Sequence, residues 1–338
     1  MKRVQKILVA GVLAVLAGCA TSPRLEPGCE QRGHATCSSI GPRERTLAWL
    51  AHQQNLDGAW GERSENRSEL TGLVLIAFMS LGQGPASEQY GKQITRAFER
   101  TIEAAKDEKL NANSRSILLY TLMEGWKMTL NPLLRDAAMD LSGRSDGDCS
   151  PLWFARALRR MQTEGLRSDV DCRLRHCGQA FAGKTDLYNQ VCHAYCLLYG
   201  TDGHRTCDFD KLETSDMLDW RLSSRPLLTA AMLHDLLYIR GIKKHDYLRR
   251  KMIKDVISRQ HIKEDVSEEG WWTADGLGVP DDPDAKRFSG NDRSIYVTAV
   301  TVPALWWGSM KPAPSRDAVE HPKEEPDPGD IRVDTGNL

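Results

Sequence analysis

Trp49-Leu50-Ala51-His52-Gln53-Gln54-Asn55-Leu56-Asp57-Gly58-Ala59-Trp60-Gly61 carries the chain out of a striped segment and towards an apolar one. Its chemistry is that of a corner. A Gln amide can bond backbone groups at a helix end, a Trp ring can cover the loop, and Gly permits the tight path between them. Upstream, Arg43 to Gln54 puts Leu47, Leu50 and Ala51 on one side. Downstream, Leu70 to Leu81 is apolar nearly all round. A helix apolar on every face must be surrounded by protein, whereas a striped one can border water. Both kinds recur. Ser116 to Met128, Leu187 to Tyr199 and Leu227 to Ile239 are apolar throughout. Tyr247 to Gln260 sets Leu248, Met252, Ile253, Val256 and Ile257 against Arg249, Arg250 and Lys254. The alternation predicts an all-α body, an inner ring of helices wrapped by an outer one, with about five to six hairpins. An irregular helical bundle fits the same periods. Ser294 to Trp307 stands apart, because its Val, Ile and Thr favour a strand.

A second, looser corner begins at Ser258-Arg259-Gln260, reaches Gly270-Trp271-Trp272 and continues as Ser294-Ile295-Tyr296-Val297-Thr298-Ala299-Val300. In the first copy Thr71-Gly72-Leu73-Val74-Leu75-Ile76-Ala77-Phe78 follows in the same way. The two together resemble the QW repeat of squalene-hopene and oxidosqualene cyclases, in the terpenoid cyclase and protein prenyltransferase superfamily. The resemblance implies an α/α toroid over residues 43–310 and makes Ser294 to Trp307 a helix. It gives Gln53, Gly58 and Trp60, with Gln260, Gly270 and Trp272, a structural clamping role. Met161-Gln162-Thr163-Glu164-Gly165 reads as a decayed third copy.

The chemistry of that superfamily does not carry over. The cyclases use an acid in an Asp-x-Asp-Asp motif, and neither Asp146-Gly147-Asp148-Cys149 nor Asp281-Asp282-Pro283-Asp284 matches it. The second lies in a Pro-rich loop where carboxylates are expected to be solvated. Prenyltransferases hold zinc with an Asp and a Cys two residues apart, whereas Asp148-Cys149 and Asp171-Cys172 are adjacent pairs. The expectation is a noncatalytic binding or scaffolding protein, without cofactor or metal, taking an apolar or sugar ligand in a central cavity. A carbohydrate-active lyase or hydrolase on the same fold is the alternative. A terpene cyclase, or a ring filled by its own side chains, is a further one. Should there be catalysis, the residues to watch are His234 and Asp235 on the buried Leu227–Ile239 segment, and Asp292 and Arg293 before the last inner helix. The plainer reading makes His234 a core residue and Asp292 a helix cap.

The N-terminus supplies an address. Lys2, Arg3 and Lys6 precede an apolar stretch, Ile7 to Leu16, that is shorter than the roughly 20 residues a membrane helix needs. Leu16-Ala17-Gly18-Cys19 then resembles a bacterial lipobox. That likeness implies a signal peptide over residues 1–18, lipidation of Cys19 and membrane attachment through the lipid. Ala20 in the following position points to the outer membrane of a Gram-negative cell, with the protein facing the periplasm or the surface. Of nine cysteines, those other than Cys19 form an even set: Cys29, Cys37, Cys149, Cys172, Cys177, Cys192, Cys196 and Cys207. In an oxidising compartment they suggest disulfides, Cys29 with Cys37 locally and the other six in an open connectivity. Cys172-x4-Cys177 and Cys192-x3-Cys196, near His176, His193 and His204, offer a metal site as the competing reading. Residues 19–42 read as a tether and 311–338 as a disordered acidic, Pro-rich tail. With 45 Lys and Arg against 46 Asp and Glu in 338 residues, no basic excess supports nucleic-acid binding.

Overall fold

The computed structural model describes residues 41–144, 150–199, 219–240, 243–263 and 269–306, without side chains at 237–248 and 306. All fall in the unit Ser38–Leu338. The expected signal peptide, residues 19–40 of the expected tether with Cys19, Cys29 and Cys37, Asp146–Cys149, Cys207 and the expected tail lie outside the described residues, while Pro42, read as the tether's end, opens α1.

The helices are α1 (Pro42–His52), α2 (Ser64–Ser80), α3 (Gly91–Ala104), α4 (Ala112–Thr129), α5 (Pro132–Gly143), α6 (Pro151–Thr163), α7 (Val170–Gln179), α8 (Leu187–Tyr199), α9 (Pro226–Arg240), α10 (Lys243–Ser258), α11 (Pro283–Lys286) and α12 (Gly290–Trp306). Five of the described helices open on Pro, at a position where the missing amide costs nothing. Asn111 accepts from Ser114 N at 2.8 Å and Asn131 from Leu133 N at 3.0 Å, satisfying amides that have no partner within the helix. Among the described residues the one sheet is a two-stranded ladder, β1 (His261–Ile262) antiparallel to β2 (Gly270–Trp271), which pairs His261 with Trp271. The protein is therefore all-α.

Two classes of helix are evident. In α2 every residue from Glu69 to Ser80 is buried, while α3 buries only Gly91, Ile94, Ala97, Phe98 and Thr101. Packing follows the same division. The more deeply buried helices meet in the succession α2, α4, α6, α8, α9, α12, and α12 packs back on α2. The striped helices lie against this set: α3 and α5 on α4, α7 on α8, and α10 on α9. The segment Ser294–Trp307 is helical through Trp306 despite its β-branched residues and Pro303. Val297, Val300 and Val302 are buried there, so tertiary packing outweighs propensity.

Both Trp corners form, and they make matching bonds. Trp60 Nε1 donates to Leu50 O at 2.6 Å, and Trp272 Nε1 donates to Val256 O at 2.8 Å. The Trp60 and Trp272 amides donate to Thr71 Oγ1 and Thr298 Oγ1, each at 3.0 Å. In each copy the glutamine four residues beyond the carbonyl acceptor reaches the first turn of another striped helix. Gln54 Nε2 bonds Gln93 O at 2.9 Å on α3 and Gly58 O at 2.8 Å. Gln260 Nε2 bonds Pro42 O at 3.0 Å and Thr46 Oγ1 at 2.8 Å on α1. The clamp residue is thus Gln54, not the expected Gln53, which instead accepts from Asn291 Nδ2 at 2.8 Å. Gly58 has φ +90°, and a Cβ there would lie 2.8 Å from Arg96 Cβ. At Gly270 a Cβ would strike the Gln260 amide. The expected third copy is no corner of this kind: Gln162 lies near the end of the buried helix α6, and its amide faces Asp171 at 3.5 Å.

Candidate functional site

Two groups of charged side chains are set into this helical body. The first lies among buried helices. Arg156 of α6 pairs with Asp235 of α9 and donates through Nε to the Tyr195 hydroxyl of α8. The Tyr195 and Tyr199 hydroxyls both donate to Asp235 Oδ2, at 2.7 and 2.9 Å. The Arg156 guanidinium lies 5.9 Å from the Tyr120 ring centre on α4. One turn along, Arg160 Nε donates to Glu124 at 2.9 Å. Burial opposes the charge on Arg156, but Asp235 and the phenols outweigh it and raise its pKa well above that of free arginine. Burial likewise raises the Tyr195 and Tyr199 phenols, so both stay protonated. The group satisfies itself, as buried charge must.

His234, beside Asp235 in sequence, is fully buried, and neither ring nitrogen has a hydrogen-bond partner. Burial first, then the positive charge of Arg249, lowers its pKa to about 4, so the ring is neutral at pH 7. His234 and Asp235 do not act as a dyad, since Asp235 is committed to Arg156 and the two tyrosines. Asp235 points among helices.

The second group gathers where the N-terminal ends of α2, α4, α8 and α9 meet α11. Glu69 of α2 is buried and accepts from Asn113 Nδ2 at 2.7 Å, and from Arg287 Nη2 and Nη1 at 2.7 and 3.2 Å. Asp282 caps two helices, taking Ala285 N at 2.8 Å and Leu227 N at 3.1 Å. Burial raises its pKa. Asp284 is buried too, and its Oδ2 has no hydrogen bond. Its nearest cations are Arg225 Nη1 and Arg287 Nε, each 3.7 Å from one of its oxygens. The expectation that the Asp281–Asp284 carboxylates are solvated therefore holds only for Asp281, whose side chain is 89% exposed and pairs with Lys286. Laying the loop across helix ends puts the other two inside. The side chains of Arg225 and Arg287 remain 45% and 40% exposed, lying 5.1 Å over the Tyr188 and Phe288 rings. Phe288 in turn stacks on Tyr296 at 4.7 Å.

Asp292 and Arg293 belong to neither group. Asp292 lies within the first turn of α12 rather than before it, and it caps a different helix. It accepts from Glu62 N at 2.7 Å, Arg63 N at 3.5 Å and Asn66 Nδ2 at 3.2 Å, at the start of α2. Arg293 Nη2 donates to Pro280 O at 2.6 Å. Among the described residues no three His, Cys, Asp or Glu side chains converge as a ligand set for a metal. Nor is any helix among the described residues long and apolar enough to cross a membrane. A cleft of about 230 Å³ adjoins the first Trp corner, lined by Asp57, Ser68, Thr71 and Thr101 among others, with Asp57 tied to Arg67 at 2.8 Å.

Arg156, Tyr199, Glu69, Arg225 and Arg287 were not foreseen from sequence. The usable signals were an Arg inside the apolar run Trp153–Leu158, two Tyr one helical turn apart on α8, and Glu69 opening an apolar helix. The chain matches no protein-family model, no curated protein and no solved structure.

Proposed function

We propose that this is a lipid-anchored protein of the cell envelope, built on an α/α toroid like that of the terpenoid cyclases, which binds an acidic sugar without transforming it. Support for the toroid comes from the buried helices, whose packing succession returns to its start, and from Gln260, whose amide joins the end of α10 to the start of α1. The anchor rests on Lys2 to Cys19 of the sequence.

The observation that carries the binding role is the Arg225, Arg287 and Asp284 group. Asp284 Oδ2 is a buried acceptor without a donor, a state that costs free energy unless a ligand or water supplies one. Two half-exposed guanidinium groups lie beside it. A sugar acid matches both, its hydroxyl donating to Asp284 and its carboxylate accepting from the guanidinium groups. Aromatic rings beneath the two arginines hold them in place. This reading puts the ligand at the helix N-terminal ends rather than in a central cavity; Arg156, Asp235, Tyr195 and Tyr199 bond one another among α6, α8 and α9.

A lyase or hydrolase is the second reading, favoured by one observation: a neutral, unpartnered His234 next to the Arg156–Asp235 pair. Three measurements separate the cases. Cys19→Ala should move the protein from the membrane to the soluble fraction, and retention in the membrane would refute the anchor. Oligogalacturonate titrated by calorimetry should bind at least about tenfold more weakly to Arg225→Gln. Equal affinity, or no heat with either protein, would refute the site. Appearance of unsaturated uronate ends during the incubation would establish a lyase instead.

A further inference from the structure

We infer that a disulfide between Cys177 and Cys196 pins α7 to α8 in the mature protein. Their sulfurs lie 3.7 Å apart, and both residues are buried where the two helices pack. A disulfide needs a separation of about 2.05 Å, so the two sulfurs have only a short distance to close. The helices approach closely at this level because Gly178 has no side chain; a Cβ there would come within 3.2 Å of Cys196 Cβ. The other cysteines on these helices are placed differently. Cys172 is exposed, and five residues from Cys177 it is rotated by about 140° around α7. Cys192 lies one turn before Cys196 and is engaged by Tyr188.

Formation of the bond joins the two sulfurs and releases two protons and two electrons. The electrons pass by thiol–disulfide exchange to a disulfide-bearing oxidoreductase of the envelope, whose own disulfide becomes a dithiol. The bond therefore rests on the export proposed above, and the test separates the two. Protein from the membrane fraction is alkylated, digested without reduction by trypsin and chymotrypsin, and analysed by mass spectrometry. Cleavage after Tyr195 puts Cys192 and Cys196 on different peptides. A linked pair containing Cys177 and Cys196 is expected, together with an apparent Tm that falls by several degrees on reduction. Cys177→Ser combined with Cys196→Ser should abolish that sensitivity.

A parallel sample of the purified full chain is oxidised with glutathione disulfide. The Cys177–Cys196 link in this sample, with alkylated thiols in the cellular one, would uphold the pairing and refute export. Alkylation of both residues in both samples, or links of either to a different cysteine, would overturn the pairing.

Discussion

His234 gives the sharpest test of the interior. In the folded protein its imidazole titrates at about 4, against about 6.5 for an unfolded chain. Above pH 6.5 neither state binds the proton, and the residue adds no pH dependence. As the pH falls from 6.5 to 4, the unfolded chain takes up a proton that the folded one refuses. Stability is lost by about 1.4 kcal/mol per pH unit over that window. Below pH 4 both states are protonated and the loss levels off near 3 kcal/mol, with about 2 kcal/mol already gone at pH 5. The charges acting on the ring are those of Arg249 and Arg156, which keep it neutral, and Asp235, which partly opposes them. His234→Leu removes the titrating group at similar size. Urea unfolding followed by circular dichroism at pH 8, 7, 6 and 5 would give both stability curves. The wild-type curve should fall below that of the variant by an additional 2 kcal/mol or so between pH 8 and pH 5. Parallel curves would mean that the imidazole has a partner or reaches water when folded, and the reasoning would fail.

Other expectations concern the corners and the ion pair. Gln54→Ala should destabilise by about 1–3 kcal/mol, since it deprives two backbone carbonyls of a donor; Gln53→Ala should cost visibly less, and the reverse order in denaturant melts would restore Gln53 to the clamp. Gly58→Ala should lower stability by about 1–3 kcal/mol, because φ +90° strains alanine and its Cβ would press on Arg96. Arg156→Met should cost about 3–5 kcal/mol by leaving Asp235 charged and buried, and adding Asp235→Leu should recover part of that loss. A double variant no more stable than the single would show that the pair does not act as a unit.

The helices were legible because burial imposes its period on the sequence, and that period survives without knowledge of partners. Phase at a corner was not. Gln53 and Gln54 are adjacent and chemically identical, and only the position of the Trp-bonded carbonyl, four residues earlier in both copies, selects the second. The Asp282 and Asp284 carboxylates looked solvated because acid and proline in sequence usually mean a surface loop. Their burial depends on what the loop lies across, which no local pattern records. Asp292 is the extreme case, since the amide it holds at Glu62 is 230 residues away in the chain. The Arg156 group was hidden for a similar reason. Its members sit on three apolar helices, α6, α8 and α9, and only folding brings them together.

The bond from Gln260 to Pro42, with Trp49 stacked on Trp271 at 5.7 Å, bears on how the molecule comes apart. A linear array of repeats can fray from either end, one unit at a time. Here α1 packs against β2 and α12, so among the described residues neither end is free to peel. Shortening the chain from one side exposes apolar surface on the other, and a truncated version should be lost to proteolysis as a whole rather than trimmed.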